Sequence, residues 1–507
     1  MNPSDYRRDY AAYRSAVERE RFKSRAGART DLRPVEERYA ELWTREAIED
    51  LRRAREETPA QFETERAGLR ALTGAAQIKY AEARAREVTE ELGRCSESTA
   101  VDWGGAKVSA EEVPELIAAE GDAGRRRELA RRWLDASRAC DDLRVARLEE
   151  LGAAAHELGF GGRRALYESF TGIDVEVLAA AAGAFLERTE AAFMSRLARW
   201  AAAELPRDGG GGGPEYADQF YFARAARFDA RFPARDFRTL YKGALAAMGV
   251  RVESQKNLRV EDGPRPSKHA QTACFPVSPP EDVRLVVGAR EAGLDFYWQS
   301  FHEGGRAQLF AWASRDTAAR HPEFVYAPDA SAEEGHARLL SGLFREPSWL
   351  TEARGMRATE AAEVASHAAL LELYEARREC AGLRYALALD AAKGARSEQL
   401  AEEYVSGFGG ATGFSHHAAT ALAEADEWFQ SATNLRARLF AAGFGEHLRT
   451  RYGRRWFSSR VAGDELIDVW NTASRYGAEE LARLVWGGVL SFDLLADALT
   501  AALDGEA

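Results

Sequence analysis

The sequence predicts a mainly α-helical protein with one small β patch, on three observations. From about residue 30 to 205 the chain is dense in Ala, Leu, Glu and Arg, all strong helix formers. Apolar residues there recur at three and four, as in VARLEELGAAAHELGF (145–160), which puts them on one helical face. Pro, Gly and β-branched residues concentrate together only in 257–295.

At 507 residues the chain can bury a large core and form two or three domains. Its 46% hydrophobic and 30% charged content fits a folded chain and not a disordered one. The net charge of −12 argues against nucleic acid as a partner, because phosphate binding needs a basic surface. Basic runs such as Arg125–Arg127 and Arg454–Arg455 read as solvated helix faces. Cys95, Cys140, Cys274 and Cys380 are scattered without ligand spacing, so neither a zinc ribbon nor a disulfide framework is expected. The N-terminal stretch is polar, and no apolar run approaches the roughly 18 residues that span a bilayer. No membrane contact and a cytoplasmic location are expected.

In chain order, Ser109 with Glu112 forms a capping-box pattern before EEVPELIAAE. Asp174 caps a long helix ending near Leu205. WGG at 103–105 reads as a turn between helical segments. The Gly-rich loop 206–215 then separates an N-terminal helical part (1–205) from a second part (216–507). DFRTLYKGALAAMGV is helical. In the β patch, VRLVV (283–287) is the clearest strand, and Pro276 demotes TACFPV (272–277) to an edge. Helical texture returns at Tyr297 and dominates to the C-terminus.

That helix carries HEGGR, one residue from the zinc-protease signature HExxH. Residues four apart project from one helical face, so two histidines at that spacing grip one zinc ion while the glutamate polarises a bound water. His302 and Glu303 supply the first ligand and the base. Arg306 supplies a guanidinium, which has no lone pair to donate. About thirty residues on, SAEEGHARLLSGLFREPSWL (331–350) predicts a second helix carrying Glu333 and Glu334, the kind of carboxylate a third ligand requires.

The stretch ACFPVSPPEDVRLVVGAREAGLDFYWQSFHEGGRAQLFAW, followed by SAEEGHARLL, resembles the catalytic core of the oligoendopeptidase F and thimet-oligopeptidase group of gluzincins. Carboxypeptidase Taq is a more distant cousin. GDAGRRRELARRWLDA and LGAAAHELGFGGRRALYE are similar to that group's helical N-terminal part. The resemblance implies a large helical, neurolysin-like gluzincin fold in which both parts form one deep central cleft. It implies His302 and Glu334 as metal ligands, Glu303 as general base, and Gly305 as the motif glycine. Arg306 stands where the second histidine belongs. By the same resemblance Gln430 and Asn434, in DEWFQSATNLRARLF, stand at tyrosine positions that bond the substrate carbonyl and oxyanion. His269 lines the cleft, and GFGGATGF (407–414) is a mobile loop beside it.

His336 lies two residues beyond Glu334, about 200° around the helix, and faces away from any shared ion. His321 is a loop histidine near enough in sequence to approach the site, whereas His367, His416 and His417 read as surface or core residues. The aromatic set around HEGGR reads as core packing. Arg306 is also expected to pair with Glu334 or Glu303, neutralising carboxylates that zinc would otherwise hold. The functional expectation is a pseudopeptidase that keeps a cleft for peptides or a protein segment but has lost a zinc ligand. The alternatives are an active zinc metalloendopeptidase with an unusual ligand set, and a helical scaffold. Zinc is the cofactor only if the chain is active.

Overall fold

A computed structural model describes residues 2–205, 213–263, 271–392 and 394–504. Most of the Gly-rich loop 206–215 and His269 lie outside the described residues. The protein is mainly helical with two small sheets, and its chain forms two compact units. One comprises Met1–Gln77, Phe228–Ala368 and Arg436–Ala507; the other comprises Ile78–Arg227 and Ala369–Leu435.

The first unit holds HEGGR. Helix α1 (Pro3–Arg25) starts at Asn2, whose side chain accepts from the Ser4 amide, and ends in Lys23 and Arg25, which complement the helix dipole. Its buried stripe is Tyr6, Tyr10, Tyr13 and Val17. Strands β1 (Leu258–Glu261), β2 (Ala273–Ser278) and β3 (Asp282–Val286) form a sheet in the order β1-β3-β2. β3 is central, parallel to β1 and antiparallel to β2. Pro276 therefore sits on an edge strand, as expected, because proline cannot donate to a ladder. Phe22 of α1 packs edge-on against Phe275 of β2.

Helix α2 (Leu294–Trp312) follows the sheet and begins three residues before the expected Tyr297. Phe296, Tyr297, Phe301 and Phe310 are buried on it. Phe301 meets Phe344 and Trp349 edge-on, so this aromatic set is core. Helix α3 (Ser331–Ser341) lies against α2.

Several expectations fail in the second unit. The β patch before HEGGR is not the only one: Ala100–Trp103 and Ala106–Ser109 form an antiparallel hairpin. WGG is its turn, not a link between helices. Gly104 and Gly105 take φ of +61° and +84°, which a two-residue hairpin turn of matching twist requires. Ser109 ends the second strand, and the next helix starts at Val113, so Ser109 is no helix cap. Cys95 and Cys140 form a disulfide, against expectation; helix Arg86–Ser98 and the turn Arg138–Cys140 bring together residues 45 apart in sequence. GFGGATGF is no loop either. Helix Glu398–Thr412 runs through its first six residues and ends at Gly413, with φ of +71°. Tyr404 and Phe408 are buried on that helix, and their packing outweighs the poor helix propensity of its glycines. Asp174 does cap its helix, Val175–Glu204, accepting from the Val177 amide. Among the described residues no single helix is long and apolar enough to cross a membrane.

Candidate functional site

α2 and α3 meet at a glycine. A β-carbon on Gly305 would lie 2.8 Å from Ala337 Cα and 3.1 Å from the His336 carbonyl, so only glycine allows this approach. Gly304 gives room to Tyr241, whose hydroxyl donates to the Gly304 carbonyl at 2.9 Å. The close contact lets side chains on α3 reach those on α2.

Five ionisable groups converge there. His302 Nε2 lies 3.1 Å from Glu334 Oε2, and His302 Nδ1 lies 3.6 Å from Glu303 Oε1. Arg306 Nε donates to Glu333 Oε1 at 2.7 Å, and its Nη1 donates to Glu303 Oε2 at 3.0 Å. Arg306 Nε also comes within 3.7 Å of Glu334 Oε1. The backbone N–H of Cys274, on edge strand β2, donates to Glu303 Oε2 at 2.8 Å. An edge amide that no neighbouring strand uses thus serves the cluster.

Burial and charge pull against each other here. Burial raises the Glu303 carboxyl, but Arg306, His302 and the Cys274 amide outweigh it and hold Glu303 below its usual range. Burial also opposes ionisation of Glu334, yet His302 and Arg306 bring it down to about 2. Burial disfavours the imidazolium of His302, while Glu303 and Glu334 favour it and raise its pKa. Glu333 is the closest partner of Arg306, yet its pKa is raised: burial and the like charges of Glu334 and Glu303 exceed the arginine's pull. The 2.7 Å contact makes Glu333 the main clasp on the guanidinium.

No family model matches the chain, and no curated protein matches it either. Solved structures do. A structure described as an oligoendopeptidase F from Bacillus anthracis str. Ames matches with TM-score 0.64 at 12% identity, over 92% of this chain and 82% of that one. PZ peptidase A, solved with an inhibitor, gives 0.64 at 14% identity, over 91% and 85%. A Pyrococcus furiosus carboxypeptidase gives 0.59 at 14% identity, over 98% of each chain. The fold is a gluzincin peptidase fold. The likeness extends to the M3 and M32 metallopeptidases, and at these identities it shows the fold alone.

Within this gluzincin fold, His302, Glu303, Arg306 and Glu334 are brought together, whereas His336 and His321 of the same unit are engaged elsewhere. His336 is fully buried, with its ring against Phe440 and Phe444, and burial pushes its pKa down to about 3. His321 bonds Glu323 at 3.1 Å. Gln430 and Asn434 belong to the other compact unit, where the Gln430 amide donates to Asn434 Oδ1. Two partners in the cluster were not assigned from sequence: Glu333, named there beside Glu334, was not expected to take Arg306, and the Cys274 amide was not foreseen. Glu333 had a signal, the doubled glutamate of SAEEG; the Cys274 amide had none, because a backbone donor carries no residue signature.

The residues present do not fit a zinc ion. His302 and Glu334 face each other as two donors, but beside them, 3.7 Å from Glu334, lies the cationic guanidinium of Arg306, which repels a divalent ion. Among the described residues no group of three His, Cys, Asp or Glu side chains is arranged to hold a metal.

Proposed function

We propose that this chain is a non-hydrolytic peptidase-fold protein, a pseudopeptidase that engages peptides or a protein segment and uses Arg306 as the resident cation of its former metal position. The observation that supports this reading most is the clasp of Arg306 by Glu333 and Glu303, with Glu334 close by. In a zinc site these carboxylates would be stabilised by the metal. Here one guanidinium and the His302 imidazolium offset two of the three carboxylate charges, and the raised pKa of Glu333 lessens the third, so the fold keeps its buried acids without an ion. Arg306 and the Cys274 amide both bond Glu303 Oε2 and help hold its pKa below the usual range, which weakens Glu303 as a general base.

Protein purified without chelators should carry well under one zinc per chain. It should cleave a quenched peptide library no faster than Glu303→Gln. Stoichiometric zinc together with Glu303-dependent cleavage would overturn this reading. It would favour the second one, an active zinc metalloendopeptidase, which has the retained 3.1 Å His302–Glu334 contact on its side. Arg306→His sharpens the distinction. If zinc binding appears on that substitution, zinc at about 100 times its Kd should stabilise the variant by about 2.7 kcal/mol and leave the parent unmoved.

A further inference from the structure

Helices Arg460–Trp470 and Ala478–Trp486 line a cavity of about 500 Å3 in which the site chemistry has no part. Its two walls differ in character. Asp464 and Asp468, one turn apart on the first helix, are exposed, and neither forms a salt bridge among the described residues. Glu465 beside them is already engaged, by the Tyr452 hydroxyl, by His447 at 2.8 Å and by Arg451 at 3.4 Å. The opposite wall is aliphatic, with Leu481, Leu484 and Val485 on one face of the second helix. Leu484 is 60% exposed, and Val461, on the first helix one turn before Asp464, is 61% exposed. These two are among the few large apolar side chains so exposed in the described residues, and both line this one cavity.

We propose that this groove docks a segment of another protein in which aliphatic side chains are interspersed with lysine or arginine. The aliphatic wall needs an apolar partner to shed its water. The unpaired carboxylates opposite lose solvation when the groove is covered, which a cationic side chain offsets and a neutral or acidic one does not. A second copy of this chain is disfavoured on the same ground, since each copy carries a net charge of −12.

The test is an anisotropy titration of a fluorescein-labelled amphipathic leucine–lysine peptide with the full chain, which should show saturable one-site binding. Leu484→Asp should weaken binding about tenfold, as loss of a buried apolar anchor does. That substitution adds negative charge, so non-specific attraction to an acidic protein would instead grow stronger. Leu484→Ser, which adds no charge, should weaken binding too, with an unchanged melting temperature showing that the fold is intact. Asp464→Asn combined with Asp468→Asn should weaken binding several-fold at low salt, and the difference should shrink at high salt. Val177→Asp, at an exposed valine in the other unit, should leave binding unaltered. Binding unchanged or tightened by Leu484→Asp overturns the proposal. So does a Leu484-dependent dimer of the chain in sedimentation, which would assign the groove to a second copy.

Discussion

Arg126 in one unit and Arg306 in the other are both held by carboxylates, and their surroundings differ in accessibility and in charge balance. Arg126 and Asp218 are fully buried, 2.8 Å apart, and Arg126 Nη1 donates to the Glu120 and Gly121 carbonyls. The second oxygen of Asp218 accepts from the Glu215 amide and lies 3.7 Å from Arg127 Nη2, so the carboxylate is used up by its own helix cap and two arginines. Arg306 is a quarter exposed and faces Glu303, Glu333 and Glu334. A closed pair with no spare acceptor serves the fold. A partly open cluster holding more carboxylate than one arginine needs carries charge that folding alone does not require.

The largest effect should come from breaking the closed pair. Arg126→Met leaves Asp218 charged and buried with the more distant Arg127, 3.7 Å away, as its remaining cation, and urea unfolding should show a loss of about 3–5 kcal/mol. The next largest belongs to the same unit and depends on pH. Burial pushes the pKa of His416 down to about 4, while Tyr404 and Thr412 bond its ring nitrogens. The unfolded chain protonates this histidine near pH 6.5 and the folded one resists. Stability should therefore be full above pH 6.5, fall by about 3 kcal/mol towards pH 4 and level off below it. The urea midpoint followed against pH, with His416→Gln as the flattened control, checks this.

Two smaller effects probe the open cluster. Gly305→Ala changes no charge but forces a methyl into the Ala337 backbone, so a loss of about 1–3 kcal/mol is expected. Arg306→Met should cost less than Arg126→Met, about 1–2 kcal/mol, because partial exposure lets water solvate the carboxylates and Glu333 already leans towards protonation. Equal losses at Arg126 and Arg306 would break the comparison and make both clusters structural.

Much of the site was legible because its signals are local. His302, Glu303 and Arg306 share one helix, and Glu334 sits on another that the sequence marks by its own periodicity. Strands 272–277 and 283–287 were legible for the same reason. The hairpin at 100–109 was not, since strands of four residues are too short to show alternation. The disulfide depends on a long-range approach that spacing does not encode. The helix through GFGGAT needed knowledge of what Tyr404 and Phe408 pack against.

By itself the sequence determined that HEGGR lies on a helix after a β patch, that a second acidic helix follows, and that an arginine stands four residues after His302. Those are properties of residue order and helical period. Only the tertiary structure decided which acid takes the guanidinium. Glu333 and Glu334 are adjacent in sequence but point about 100° apart around α3, and the contact of α2 with α3 at Gly305 sets their reach. It turns Glu333 onto Arg306 and leaves Glu334 to His302.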